Sequence, residues 1–446
     1  MSEKSKKQKV SIVEKMGLFM VCAGNIPLMG LLSGFFMIYY TNVVGLEPAA
    51  LATLFLISKV VDGISDPIMG YFLDKFPVTK MGKFRPMIIL GTIICVINYI
   101  LLWFGAVWIP VGKYVIVYVT YLLLGWTFDI MDISKNSLLP VMSADDKERN
   151  SLSLFNALGT MIGSAVLAVA APILVAEGTL QNYYVLIFGS MAMVLVLSIA
   201  GALCVKERVA FEGKKEESYT FRELLQFLRY KPVWALFLVA LVVGVGSNIA
   251  GGAGAYFYTY ILGDMTLMSG VSLVSMITAL VGIFLGPILA NRFGKKQIFV
   301  MAIVVSILFS ALRLIDVRSM LLIYISTVAG GCIAPLTTSI QADNTTYVQY
   351  KTGKRAEAAI ASLTSFITKV AQGLGGAIPG YVLAATGFVT GSVAQPESIN
   401  TGIILCVLIL PTILTAAGAI LFGTQYTLDK KAVEEMHTAI AARSNK

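Results

Sequence analysis

The sequence predicts an all-α integral membrane protein of twelve transmembrane helices, arranged as two pseudo-symmetric six-helix bundles. Three observations predict it. Hydrophobic residues make up 57% of the 446 residues and charged residues only 13%, against about 25% charged in soluble domains. Apolar runs of about 20 residues, enough to cross a bilayer core of about 30 Å, recur along the whole chain. Charged loops also repeat at matching places in the two halves.

Apolar stretches between polar breaks give spans at roughly 16–43, 48–74, 86–107, 113–142, 152–176, 184–204, 232–263, 268–290, 297–316, 320–341, 355–385 and 401–425. Lysine and arginine crowd the N-terminus, the 74–86 loop, the 143–150 loop, the 205–231 segment, the 291–296 loop, the 343–355 loop and the C-terminal tail. The opposite loops hold little beyond Lys113 and Arg318, with Arg313 near a helix end. The positive-inside rule then places both termini in the cytoplasm, in a bacterial cytoplasmic (inner) membrane. The expected divisions are a cytoplasmic tail over 1–15, a bundle over 16–204, a linker over 205–231, a second bundle over 232–425 and a tail over 426–446.

The repeat is written in the loops. After the second span come Gly70-Tyr-Phe-Leu-Asp74 and Gly82-Lys-Phe-Arg-Pro86; after the eighth come Gly286-Pro-Ile-Leu-Ala290 and Gly294-Lys-Lys. Ala144-Asp145 with Arg149 after the fourth span is echoed by Ala342-Asp343 with Arg355 after the tenth. One such loop alone is equally well a tight, positive-inside turn, but the match at corresponding places argues for a duplicated six-helix unit.

Several function classes drop out. The net charge of +9 follows the alternate loops and implies no nucleic acid. The one histidine, His437, lies in the tail, so neither a histidine relay nor a zinc site is expected. Cys22, Cys95, Cys204, Cys332 and Cys406 fall in apolar stretches without CxxC spacing and read as buried small hydrophobes. The basic N-terminus and the long apolar run after it do not form a removable leader. No nucleophile motif supports an enzyme, and no cofactor is implied.

The informative residues are the charges left at membrane depth: Lys59, Asp62, Asp66, Asp129, Asp132, Lys135 and Lys369. Each costs about 2.5–3.5 kcal/mol at a helix centre on an insertion scale, so each should face a cavity or a partner. On the second span Lys59, Asp62, Ser65 and Asp66 share an arc of roughly 120°. Two carboxylates four residues apart need a bound cation, a shared proton or a lysine. Pro67 frees the Gly63 carbonyl, adding a hard oxygen ligand. An internal Lys59–Asp62 pair that only joins helices is the plainer alternative. On the fourth span Asp129, Asp132 and Asn136 lie within roughly 60°, with Lys135 beside them. The eleventh span presents Ser362, Ser365, Lys369 and Gln372 on one face, then Gly373, Gly375 and Gly376 for close helix approach. Its hydroxyls alone read as helix–helix hydrogen bonds. Four aspartates against three lysines leave one negative charge, which a monovalent cation or proton would neutralise, and a solute site completed only with the cation present gives coupling a physical basis.

The duplicated glycine loops resemble the signature of the major facilitator superfamily. A closer resemblance is carried by Tyr39-Tyr40-Thr41-Asn42-Val43-Val44-Gly45-Leu46, Asp62-Gly-Ile-Ser-Asp66-Pro-Ile-Met-Gly70, Gly82-Lys-Phe-Arg-Pro86, Ile130-Met-Asp132-Ile, Gln341-Ala-Asp343 and Lys369. In order, over residues 16 to 385, these resemble the melibiose-permease-like glycoside–pentoside–hexuronide:cation symporters. The resemblance implies that Asp62 and Asp66 bind Na⁺, Li⁺ or H⁺, that Asp132 contacts sugar, and that Lys369 lies between the two sites. Ser65 stands where the permease has an asparagine near the cation, and Asp129 where it has a threonine. There are departures. Asn25-Ile26 replaces a lysine–aspartate pair on the first helix, Asn136 a sugar-stacking tryptophan, and Asn156-Ala157 occupies the region of a fifth-helix arginine.

The expectation is therefore cation-coupled symport of a sugar-like solute by alternating access, in a monomer surrounded by membrane lipid. The cation site would be Asp62, Asp66, Ser65 and Asp129; the solute site Asp132, Asn136, Lys369, Asn25 and Ser365; Lys59 and Lys135 would form a charge network, pairing with the aspartates beside them or with an anionic solute. An uncoupled facilitator or antiporter on the same scaffold is the alternative.

Overall fold

The computed structural model describes residues 9–208, 226–227, 229–330, 333–352, 357–392 and 394–428, with 432–433, 435–436 and 438 in the tail. Most of the expected 205–231 linker therefore lies outside the described residues, as do the side chains of Asp66 and Pro67. The chain divides into two compact units, Met1–Lys215 with Val389–Ala394, and Glu216–Phe388 with Gln395–Lys446.

The first unit contains α1 (Ile12–Tyr39), α2 (Pro48–Lys75), α3 (Phe84–Trp108), α4 (Lys113–Met142), α5 (Asp146–Leu174) and α6 (Leu180–Cys204). The second contains α7 (Lys231–Tyr256), α8 (Leu267–Phe293), α9 (Lys295–Leu312), α10 (Met320–Gly330), α11 (Ile333–Thr352), α12 (Glu357–Ala385), α13 (Ser398–Ile404) and α14 (Leu410–Gln425). Among the described residues, nine helices are long and apolar enough to cross a bilayer. Among the described residues the twelve expected spans fall largely on helix, the tenth on α10 and the start of α11. Segment 343–355, expected as a loop, is helical as far as Thr352, because hydropathy follows the bilayer while a helix can run on past it.

Helix starts are set by local chemistry. Ser11 and Glu14 form a capping box at α1, Pro48 opens α2, and the Asp145 carboxylate accepts the N–H of Lys147 and Glu148 at α5. At α3 the cap comes from far along the chain: the Glu207 carboxylate accepts the backbone N–H of Lys83 (2.8 Å), Phe84 (2.9 Å) and Arg85 (2.9 Å). Arg85 answers by donating Nε to Ala202 O and a terminal nitrogen to Leu203 O at the end of α6.

Small residues let the helices close up, as they must where lipid offers no hydrophobic drive between helices. A methyl added at Gly159 or Gly163 on α5 would meet the Phe19 or Ala23 carbonyl oxygen of α1 at 2.4 and 2.6 Å, and one at Gly201 on α6 would meet Gly17 O at 2.6 Å. In the second unit Gly375 on α12 meets Val245 O of α7 at 2.6 Å. So α1 and α7 are the spines of their units. Each runs into a π-turn, Tyr40–Val44 and Phe257–Ile261. Each then breaks at a glycine in the left-handed region, Gly45 (φ 77°) and Gly263 (φ 75°), where a side chain would be strained.

Candidate functional site

Among the described residues of the first unit, Lys59, Asp62, Asp129, Asp132 and Lys135 form a polar seam along α2 and α4, joined by Asn25 of α1. On α2, Lys59 Nζ is 2.7 Å from Asp62 Oδ2. Ser65, fully buried, donates to the Asp62 carbonyl at 3.3 Å. Facing them from α4 is Asp129, whose electrostatic neighbours are Asp62, Asp132 and Lys59 and whose carboxylate lies against the Ser65 hydroxyl. Its Oδ2 is buried without a hydrogen-bond partner. Gly125, one turn before Asp129, makes the fit possible: a methyl there would lie 2.5 Å from Asp62 Oδ1. Of Asp66 the structure describes the helical backbone, with α2 unbroken through Pro67; its side chain lies outside the described residues.

One turn further along α4 the second part begins. Lys135 Nζ is 2.7 Å from Asp132 Oδ1, and Asn136 Nδ2 donates to Asp132 Oδ2 at 2.9 Å. Lys135 is buried and reaches Asn25 Oδ1 on α1 at 3.4 Å. With that oxygen turned to the ammonium, Asn25 Nδ2 is left buried and unpartnered. One helical turn from Asn25, Cys22 Sγ bonds Asn156 Oδ1 of α5 at 3.1 Å.

Both lysines thus pair with the aspartate three residues away, as the sequence suggests. Two ion pairs leave Asp129 as the carboxylate without a lysine of its own among the described residues. A carboxylate oxygen withdrawn from water without a donor is costly unless a cation or a proton joins it. Asp62, Ser65 and Asp129 are all oxygen donors, the set that suits a small hard cation. Asp132, Asn136, Lys135 and Asn25 instead offer alternating acceptors and donors, the pattern that polyhydroxylated solutes match. The two parts meet on α4, where Asp129 and Asp132 are three residues apart.

In the second unit, Lys369 is half-buried on α12 and Ser365 is exposed on the same helix. On that helix Thr364 accepts from Gln341 Nε2 of α11 at 2.8 Å, a helix–helix hydrogen bond.

Three participants escape a reading of the sequence. Cys22, expected as a plain hydrophobe, is a hydrogen-bond donor inside the seam. Asn156 appears there only as a residue standing in an arginine's region. Gly125 gives no signal at all, since its role depends on what α2 brings opposite. The paired π-turns are different: Tyr40-Thr41-Asn42-Val43-Val44-Gly45 and Tyr258-Thr259-Tyr260-Ile261-Leu262-Gly263 repeat in the sequence itself.

A profile of the family described as "MFS/sugar transport protein" matches residues 20–430. The chain is 28% identical to the "uncharacterized symporter YjmB" of Bacillus subtilis (strain 168), over 94% of this chain and 93% of that one. It is 27% identical to the isoprimeverose transporter of Lactiplantibacillus pentosus, over 83% and 79% of the two chains. The crystal structure of the nucleoside transporter NupG superposes with a TM-score of 0.63 at 14% identity, covering 95% of this chain and 99% of that one. That likeness establishes the fold.

Proposed function

The chain belongs to the MFS/sugar transport protein family, and we propose that within it the protein is a cation-coupled symporter of a sugar-like solute: a glycoside, pentoside or uronide. It works by alternating access in the bacterial cytoplasmic membrane, with both termini in the cytoplasm. The coupling ion is Na⁺, Li⁺ or H⁺, held between Asp62, Ser65 and Asp129, with Asp66 on the same helix. Within the first unit the solute-binding residues are Asp132, Asn136 and Asn25, and within the second Lys369 and Ser365.

The observation that carries this reading is the buried, unpartnered Asp129 oxygen facing the Lys59–Asp62 pair. One lysine against two carboxylates leaves a negative charge that a monovalent cation or a proton balances. Filling that position also settles α4, on which Asp132 presents itself to the solute. The names of relatives that transport isoprimeverose or act as symporters agree with it.

The test is uptake of labelled glycosides, pentosides and uronides into proteoliposomes, with an inward Na⁺ gradient, an inward H⁺ gradient or neither. Symport requires accumulation that needs one gradient and is lost in Asp62→Asn and Asp129→Asn. Uptake that runs equally without a gradient and tolerates both variants sinks the proposal. Gly125→Ala supplies a control that leaves every charge in place: its methyl displaces Asp62 from Asp129, so the half-saturating cation concentration rises about tenfold, as for a coupling loss of about 1.4 kcal/mol.

A second reading, uncoupled facilitation or antiport, is favoured by the 2.7 Å Lys59–Asp62 contact, since a carboxylate already paired has less need of an ion. The gradient-free arm of the same assay detects it.

A further inference from the structure

Arg313 follows the last residue of α9 and lies on the side of the membrane away from the lysine-rich loops. With Lys113 and Arg318 it is one of the few basic residues there. Its guanidinium sits over the Phe257 ring, 5.6 Å from the centroid, and Tyr258 is its electrostatic neighbour; Tyr324 of α10 faces Tyr258 in turn. The Nε atom is buried without a hydrogen-bond partner. Among the described residues no carboxylate pairs with it. Asp316, three residues on, instead accepts the backbone N–H of Arg318 at 3.0 Å. A guanidinium cannot shed its charge, and withdrawing it from water without an anion is costly.

The surroundings say which anion. Leu308, Leu312, Ile315 and Leu321, around the same helix end, are exposed large hydrophobics, as residues facing acyl chains are. The duplication agrees. Arg313 lies nineteen residues after left-handed Gly294; the residue nineteen after left-handed Gly82 is Leu101, also an exposed hydrophobic. In the first unit this position faces lipid with a leucine. In the second it carries five N–H donors in a rigid fork that matches a phosphate.

We propose that Arg313, with the aromatic wall of Phe257 and Tyr258 behind it, binds the phosphodiester of an anionic phospholipid in the extracytoplasmic leaflet, its acyl chains lying on the leucines of α9 and α10. The site anchors the end of α9 to the π-turn of α7 from the lipid side.

The test uses the full-length protein in detergent, by native mass spectrometry and thermal unfolding, with phosphatidylglycerol, dioleoylglycerol or inorganic phosphate added. Phosphatidylglycerol should remain bound through delipidation and raise the melting temperature, while dioleoylglycerol, which lacks the phosphate, and inorganic phosphate should do neither. Arg313→Gln should weaken retention roughly tenfold, the usual scale for one charge-assisted hydrogen bond, with Arg313→Lys between the two. Equal retention in Arg313→Gln and the parent overturns the proposal. So does stabilisation by dioleoylglycerol equal to that by phosphatidylglycerol, which would mean apolar contact alone. An equal effect of inorganic phosphate would mean a free-anion site and also overturns it. If Arg313→Gln does not fold, the lipid comparison on the parent and on Arg313→Lys decides.

Discussion

In the first unit, Arg85 holds the end of α6 through Ala202 O and Leu203 O. At the matching place in the second unit, Lys296 reaches Tyr426 O, just past the end of α14, at 2.6 Å. The job is the same: a cation on the carbonyls that close the unit's last helix, where the helix dipole favours positive charge. The reagents differ, a fork against a point charge. At membrane depth the contrast sharpens. The first unit packs Lys59, Asp62, Asp129, Asp132 and Lys135 into one seam, whereas the second offers Lys369 on α12. The spines, the π-turns and the end-locks recur in both units, while among the described residues the paired charges of the candidate site lie in the first.

Four experiments bear on that contrast. The largest effect belongs to Asp132→Asn, which strands the buried Lys135 ammonium; breaking such a pair costs about 3–5 kcal/mol, visible as a lowered unfolding midpoint that Lys135→Gln then restores. Asp343→Asn, which breaks a 2.7 Å pair with the one-third-exposed Lys295 in the second unit, should cost about 1 kcal/mol. Equal losses would erase the distinction between the units. Next, Gly163→Ala and Gly375→Ala each set a methyl 2.6 Å from a carbonyl oxygen of the spine helix, and each should cost about 1–3 kcal/mol by overpacking; a large difference between them would break the equivalence of α1 and α7. Third, Arg85→Ala should destabilise more than Lys296→Ala by about 1 kcal/mol, the worth of an added hydrogen bond, read as faster amide exchange at the ends of α6 and α14. The smallest is Glu207→Ala, which uncaps α3 at a cost of about 1 kcal/mol, measured as faster exchange of the Lys83, Phe84 and Arg85 amides.

How far the sequence reveals these features depends on the range of the interaction. Lys59–Asp62 and Lys135–Asp132 lie three residues apart on single helices, so helical periodicity alone brings them together. The stripe of Asp129, Asp132 and Asn136 is legible for the same reason. What Asp129 faces is not, because the contact with Ser65 and the close approach of Gly125 to Asp62 depend on the crossing of α2 and α4. Cys22 and Asn156 meet across 134 residues, and no local pattern announces that. The helical 343–352 segment was hidden by its polarity, a reliable sign of leaving the bilayer but a poor one of leaving the helix. The Tyr-Thr-x-x-x-Gly repeat is present in the sequence, yet it sits at the ends of apolar runs, where no charge marks it.

The Glu207 cap has a consequence in time. The three amides that open α3 wait for a carboxylate 124 residues downstream of the first of them. At a synthesis rate of about 5–20 residues per second, roughly 6 to 25 s pass between the emergence of Lys83 and that of its partner. During that interval α4, α5 and α6 must enter the membrane while the turn before α3 has only water and its own Thr79–Gly82 bridge to satisfy it. The start of α3 is thus completed only by residues that follow α6: a nascent chain arrested before Glu207 should expose the 79–85 turn to protease, and one arrested well past it should not.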